Sequence, residues 1–103
     1  MEPNLALEDV SEEIAAQLAE IFRTLSDPSR VRIIAVLLAG EANVSHIAEA
    51  VGLSLSAVSH QLRPLRQMRL VRACKQGREV YYALDDDHVV ELFQRGLDHV
   101  LHG

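Results

Sequence analysis

The stretch VSHIAEAVGLSLSAVSHQLRPLR, residues 44–66, decides the fold. It contains two segments with helical spacing of apolar residues, separated at Gly52. A helix-turn-helix needs a small residue in its first helix, a glycine in the turn and an apolar residue in the second helix. Ala48, Gly52 and Val58 fill these positions, so the stretch predicts a helix-turn-helix at about residues 44–68.

Two further helices are predicted before this motif. Ser11 and Asp27 are typical N-cap residues, and Pro28 suits the first position of the helix that follows Asp27. The apolar residues after each cap recur at spacings of three and four. The start of the motif's own first helix is open between Glu41 and Asn43, since both precede its apolar residues.

The pattern changes after the motif. Apolar and polar residues alternate in two short runs, residues 70–75 and 79–84, and this period is typical of strands. The predicted fold class is mainly α with a β-hairpin, a winged helix-turn-helix. Its predicted parts are a flexible N-terminal arm at 1–10 and a single domain at 11–103, with the helix-turn-helix at about 44–68, the wing at 70–84 and a last helix at 86–102.

Length and composition limit the possible classes. The chain has 103 residues, of which 49% are hydrophobic and 4% aromatic, as expected of one small domain with an aliphatic helical core. The single cysteine, Cys74, excludes an intrachain disulfide and a thiolate metal site. Signal-peptide and membrane-span patterns are missing from the sequence, which predicts a cytoplasmic protein without a membrane partner.

The charge distribution is more informative than the net charge of -5. Six of the ten basic residues lie between Arg63 and Arg78, and no Asp or Glu lies between Gly52 and Arg78. A compact basic surface on an acidic body is typical of a protein that contacts the phosphates of nucleic acid. The alternative is a solvated face that happens to be basic.

Side chains on the second helix of the motif are suited to a DNA groove. Short hydroxyl, imidazole and amide groups there can reach base edges, while arginines after them and basic residues at the hairpin tip suit phosphates. Ordinary exposed helix serines are the alternative for the hydroxyl positions. The candidate DNA-binding residues are Ser54, Ser56, Ser59, His60, Gln61, Arg63, Arg66, Lys75 and Arg78.

Three segments together resemble the ArsR/SmtB family of bacterial metal-responsive repressors. They are Asp27-Pro28-Ser29-Arg30, the stretch from Ala57 to Arg63, and Lys75-Gln76-Gly77-Arg78 followed by Val80-Tyr81-Tyr82. The resemblance extends from about residue 11 to the end. It implies a winged-helix homodimer, joined through its first and last helices, that represses genes for metal efflux or sequestration.

The last helix carries a candidate metal site of Asp86, His88, His99 and His102. His99 and His102 share a helix face, but His88 lies about 16 Å from His99 along the axis at 1.5 Å per residue. One straight helix therefore cannot bring both pairs to one ion, whose bonds to nitrogen are about 2 Å long.

Two antiparallel copies of this helix would complete the site. Asp86 and His88 of one chain would then meet His99 and His102 of the other, giving two equivalent sites per dimer. Zinc-sensing members of the family have a similar pattern at both ends of this helix. Asp87 is an alternative to Asp86, and Asp86 could instead simply cap the helix.

The donor atoms of the candidate ligands indicate which metal ion to expect as the signal. One oxygen and three nitrogens suit Zn(II), with Co(II) or Ni(II) possible. Some relatives have a second site with cysteines near the third helix, but residues 41–46 contain none. The predicted function is a repressor that binds operator DNA as an apo homodimer and is released by Zn(II) or a similar ion. The alternative is a winged-helix regulator that responds to a non-metal signal.

Enzyme motifs are missing from the sequence. It contains no His-Glu-x-x-His helix, phosphate loop or nucleophile beside a base. We therefore expect neither an enzyme nor a small-molecule substrate.

Overall fold

The computed structural model describes residues 7–103, so residues 1–6 of the expected N-terminal arm lie outside the described part. A short 3-10 turn, Leu7–Asp9, precedes the domain. The mainly α class with a β-hairpin is confirmed. The elements in chain order are α1 Glu12–Leu25, α2 Pro28–Leu38, β1 Ala42–Asn43, α3 Val44–Val51, α4 Leu55–Gln67, β2 Val71–Gln76, β3 Glu79–Leu84 and α5 Asp87–His102.

Each α-helix begins after a side chain that accepts a hydrogen bond from the first turn. The predicted starts at Ser11 and Asp27 are confirmed, and Ser54 caps α4 in the same way, since each accepts a backbone N–H two or three residues ahead. The start left open between Glu41 and Asn43 falls at Asn43, whose side chain accepts from the His46 N–H. These caps satisfy backbone donors that have no partner inside the helix.

The turn between α3 and α4 has the geometry that the sequence predicts. Gly52 has φ 75°, in the left-handed region, and the Gly52 and Leu53 N–H groups both donate to the Ala48 carbonyl. Ala48 and Val58 are both buried between the helices. α4 therefore crosses α3 closely, with one face in the core and the other exposed.

The sheet has one strand more than the predicted hairpin. β3 lies in the centre, with β2 on one side and β1 on the other, and both pairs are antiparallel. β1 has two residues, and its register places Ala42 opposite Tyr82. This third strand joins the middle of β3 to the segment before α3.

The core lies between α2, α3, α4 and the sheet, whereas α1 and α5 leave apolar side chains exposed. A groove of about 360 Å³ between α1, α2 and α5 has an almost wholly apolar lining, including Phe22, Leu38, Leu92 and Leu97. Val100 is 79% exposed at the end of α5. Large apolar surfaces of this kind mark interaction sites. Among residues 7–103, no helix is both long and apolar enough to cross a bilayer.

Candidate DNA-reading surface and metal-ligand residues

The exposed face of α4 carries most of the candidate base-reading residues. Ser56, Ser59 and His60 are all exposed. The Ser54 hydroxyl oxygen accepts the Ala57 N–H at 3.0 Å as the helix cap, which leaves its own O–H free to donate. Four polar groups therefore stand at the N-terminal half of α4, the part of a recognition helix that contacts base edges.

A cleft of about 470 Å³ lies between α4 and the wing. Arg63 and Arg66 line it from the helix, and Tyr82 lines it from β3. Within residues 7–103, neither arginine has an acidic partner within ion-pair distance. The two guanidinium groups are therefore available for the phosphate contacts that the sequence predicts, and those contacts stay a prediction.

The wing tip carries Lys75 and Arg78, both exposed, on either side of a turn in which Gly77 has φ 66°. Two side-chain hydrogen bonds join this tip end of the wing to the segment before α3. The Gln76 amide donates to Glu41 Oε1 at 2.9 Å, and the Asn43 amide donates to Glu79. Sequence reasoning missed both contacts, because their partners lie 35 and 36 residues apart.

Gln61 differs from the other candidate base readers. It is half-buried, and its Oε1 accepts the Arg30 Nε–H at 2.7 Å. The Arg30 Nη1 also donates to the Thr24 carbonyl at 3.0 Å, and Asp27 lies 3.7 Å from its Nε. Bidentate reading of adenine uses both the oxygen and the nitrogen of a glutamine amide. Because Arg30 already donates to the Gln61 oxygen, a bidentate contact with adenine would need that oxygen to accept a second hydrogen bond or to release Arg30.

The four candidate metal ligands lie in two exposed pairs at opposite ends of α5. The side chains of Asp86 and His88 are 50% and 95% exposed, and that of His102 is 72% exposed. The helix is continuous between the pairs. In the described part of a single chain, no three His, Cys, Asp or Glu side chains are close enough to hold one ion. This agrees with the spacing argument that one chain cannot form the site alone.

Asp86 is the N-cap of α5. One carboxylate oxygen accepts the Val89 N–H at 3.0 Å, while the other lies 3.7 Å from His88 Nδ1. The Val89 N–H holds the pKa of Asp86 below its ordinary value, and the His88 imidazole lowers it further. Capping and metal ligation are thus compatible, because each can use a different oxygen. Asp87, the alternative ligand, is exposed in the first helical turn.

At the other end of α5, Asp98 orients one of the candidate ligands. His102 Nδ1 lies 2.9 Å from Asp98 Oδ1, one helical turn earlier. The carboxylate fixes the imidazole and leaves Nε2 as the nitrogen available to a metal, an arrangement common around metal-binding histidines. The sequence did not single out Asp98, although its spacing of four residues from His102 was a usable signal.

Comparison with known proteins places this architecture in a family. The family described as bacterial regulatory protein, arsR family, matches residues 27–73. A cadmium resistance transcriptional regulatory protein CadC homolog of Staphylococcus aureus is 37% identical over 97 residues, which cover 93% of this chain and 80% of that protein. The chain belongs to the arsR family.

A transcriptional repressor SmtB homolog of Synechocystis is another arsR-family relative. It is 49% identical over 86 residues, which cover 84% of this chain and 65% of that protein. A solved homodimeric winged helix-turn-helix DNA-binding domain from Mycobacterium bovis matches with a TM-score of 0.81 and 27% identity, covering 99% of this chain and 96% of that one. As an arsR-family member, the protein is a DNA-binding transcriptional regulator, and its relatives are transcriptional regulators.

Proposed function

We propose that this arsR-family protein is a metal-sensing repressor, which binds operator DNA as a metal-free homodimer and is released when Zn(II) or a similar divalent ion binds. One observation carries the proposal. The four candidate ligands stand exposed in two pairs at opposite ends of a continuous helix that leaves Leu92, Leu97, Val100 and Leu101 exposed. That arrangement leaves the site incomplete in one chain and gives a second copy a surface to cover.

The proposed dimer forms through α1 and α5. Both helices expose apolar residues, such as Phe22 at 50% and Leu97 at 47%, beside the groove that they line together. The matching Mycobacterium bovis domain is homodimeric. In a twofold dimer with antiparallel α5 helices, the N-terminal ligand pair of each chain faces the C-terminal pair of its mate.

The donor set fits Zn(II). Asp86 and His88 of one chain with His99 and His102 of the other would supply one oxygen and three nitrogens, a set suited to a tetrahedral ion of intermediate softness. Co(II) and Ni(II) are the alternatives. The Staphylococcus relative is named for cadmium resistance. Cadmium favours sulfur, but the only thiol here, Cys74, lies on β2 rather than on α5.

Release must depend on geometry, because added positive charge would strengthen binding to DNA. A bound ion would hold the two α5 helices in one arrangement. The two α4 helices of the dimer have to reach successive major grooves, about 34 Å apart. We propose that the arrangement of α5 with metal ligands engaged moves the α4 helices away from that spacing.

The proposal also gives each segment of the chain a role and excludes an enzymatic activity. The helix-turn-helix at 44–68 and the wing at 70–84 contact DNA, while the helix at 86–102 carries the metal and dimer contacts. Four protein ligands leave no open position for a substrate, so we propose that the protein is not an enzyme. A repressor acts on the chromosome, which places it in the cytoplasm.

Mixed dimers test the interchain site. Equilibrium dialysis of the parent should give one Zn(II) per chain, and His88→Ala or His99→Ala alone should abolish tight binding. Because the two variants damage different halves, a mixed His88→Ala/His99→Ala dimer retains one intact site and should bind one ion per dimer. His46→Ala, which alters an exposed histidine on α3, is the matched control and should bind like the parent.

Measurement of DNA binding tests whether Zn(II) weakens or strengthens it. DNA selected for binding from a random pool serves as the probe in fluorescence anisotropy, with and without Zn(II). We expect weaker binding with the metal. Tighter binding would overturn the release mechanism, and no Zn(II) binding by the parent would favour a regulator that answers a non-metal signal.

A further inference from the structure

Arg72 is exposed on β2, and its guanidinium contacts the junction between β3 and α5. Its side chain crosses from β2, and Nη1 donates to the Leu84 carbonyl at 2.9 Å and to the Asp85 carbonyl at 2.6 Å. These are the two residues immediately before Asp86. A single cationic group thus binds two successive carbonyls just ahead of the candidate metal ligands, and such charge-assisted bonds are stronger than neutral ones.

The backbone next to Arg72 continues this connection to α4. The Asp85 N–H donates to the Leu70 carbonyl at 3.1 Å, and the Leu70 N–H donates to the Leu65 carbonyl in the last turn of α4 at 2.9 Å. Leu65 and Leu70 are both buried. The segment from Leu70 to Arg72 is therefore bonded on one side to the end of the reading helix and on the other to the start of α5.

In the described part of the chain, the C-terminal half of α5 has no comparable hydrogen bond to another element. Val89 is buried and Phe93 is half-buried, but Val100 and Leu101 are 79% and 63% exposed. Within residues 7–103, the hydrogen bonds of the last turn, from His102 to Asp98 and from Gly103 to His99, stay inside the helix. One half of each proposed metal site is thus bonded to the α4 and wing of its own chain, while the other half belongs to the end of the partner's helix, which makes no such bond within one chain.

We infer that Arg72 is a positioning residue, which fixes the Asp86 and His88 half of the metal site to α4 and the wing. The inference rests on the proposed metal response. A shift of Asp86 and His88 on metal binding would then pass to α4 and β2 through this junction. Without the guanidinium, the first turn of α5 could move while α4 stayed in place, so metal binding and DNA binding would become less dependent on each other.

The first measurement needs no metal. Amide hydrogen exchange of Val89 and Val90 in the metal-free dimer should be at least about tenfold faster in Arg72→Leu, because loss of even one of the two charge-assisted hydrogen bonds corresponds to about that factor. Arg72→Lys should restore slow exchange, because an ammonium can donate to both carbonyls. Unchanged exchange in Arg72→Leu would overturn the inference, whether or not the protein binds Zn(II).

The second measurement is the ratio of DNA affinities without and with Zn(II). Such couplings are typically about 5- to 150-fold, and in Arg72→Leu the ratio should fall below about 3-fold while Zn(II) stoichiometry is retained. Arg78→Leu is the matched control, since loss of a wing-tip charge should lower both affinities equally and keep the ratio. If the ratio of DNA affinities in Arg72→Leu equals that of the parent, Arg72 does not couple metal binding to DNA binding. A parent with no Zn(II) response would instead overturn the proposed function, and the exchange result would still decide the role of Arg72.

Discussion

Arg30→Met should destabilise the protein and loosen α4, because Arg30 joins three parts of the fold. Its guanidinium donates to Gln61 on α4 and to the Thr24 carbonyl at the end of α1, and its side chain is 25% exposed. The Thr24 carbonyl lies among the last four of α1, which lack partners inside the helix. Methionine keeps the aliphatic stem but removes the donors. Hydrogen bonds from charged groups contribute about 1.5–3 kcal/mol, so we expect a loss of about 2–3 kcal/mol.

A double-mutant cycle isolates the contact with α4. Gln61→Met removes the acceptor alone and should cost about 1 kcal/mol, since Arg30 keeps its bond to Thr24. The double variant should then recover a coupling energy of about 1 kcal/mol, within the range for residues in contact. Urea unfolding gives these values. It must be run at one protomer concentration, because the stability of a dimer depends on concentration.

Arg32→Met is the control for loss of an arginine from α2. Arg32 is exposed and makes one bond, to the Val51 carbonyl at 3.2 Å, so its loss should cost no more than about 1 kcal/mol. Additive effects of Arg30→Met and Gln61→Met, within about 0.5 kcal/mol, would refute the coupling. An Arg30→Met variant as stable as Arg32→Met would refute the account of Arg30 as a junction.

Three further substitutions test other parts of the structure. Arg69 has φ 59° just after α4, a conformation that glycine adopts without strain, so Arg69→Gly should raise the free energy of unfolding by about 0.5–1 kcal/mol. A loss of stability in urea unfolding would contradict this. Gly96→Ala should also stabilise, by about 0.5–1 kcal/mol, because an added Cβ meets nothing within 4 Å in the single chain. A raised dimer dissociation constant in ultracentrifugation would show instead that a partner packs against this position. Asp86→Ser keeps a capping oxygen but removes the carboxylate, so calorimetry should show lost Zn(II) binding with the parental melting temperature of the metal-free protein. Parental Zn(II) binding in Asp86→Ser would assign the oxygen ligand to Asp87.

Local interactions explain which parts of the fold could be predicted from sequence. The caps at Ser11, Asp27 and Ser54 bond to N–H groups two or three residues ahead, so the sequence of one turn determines them. The spacing of the ligand pairs on α5 is equally local, because a helix has a fixed rise. β1 could not be found in this way. Its two residues show no period, and they form a strand only because Ala42 meets Tyr82, 40 residues later.

The same distinction applies to the candidate site. Residue type correctly suggested exposed positions for Ser56, Ser59 and His60, since short polar side chains on one face of a helix remain in solvent. It could not show that the Gln61 carbonyl oxygen is occupied, because Arg30 lies 31 residues earlier and meets it only after α2 packs on α4. In the sequence, Arg72 is one of a run of basic residues, but in the structure its exposed guanidinium donates to the Leu84 and Asp85 carbonyls.

In the proposed dimer, metal binding and DNA binding would both depend on how one protomer is placed relative to the other. The ligand pairs belong to different protomers in the proposed site, and the two α4 helices must span successive grooves. Linkage then requires reciprocity: if Zn(II) weakens DNA binding by a given factor, DNA must weaken Zn(II) binding by the same factor. Competition with a chelating indicator, with and without DNA, measures the second factor. Unequal factors would mean that the two ligands act on the protein in different oligomeric states, and a twofold dimer with interchain sites could not then be the only species involved.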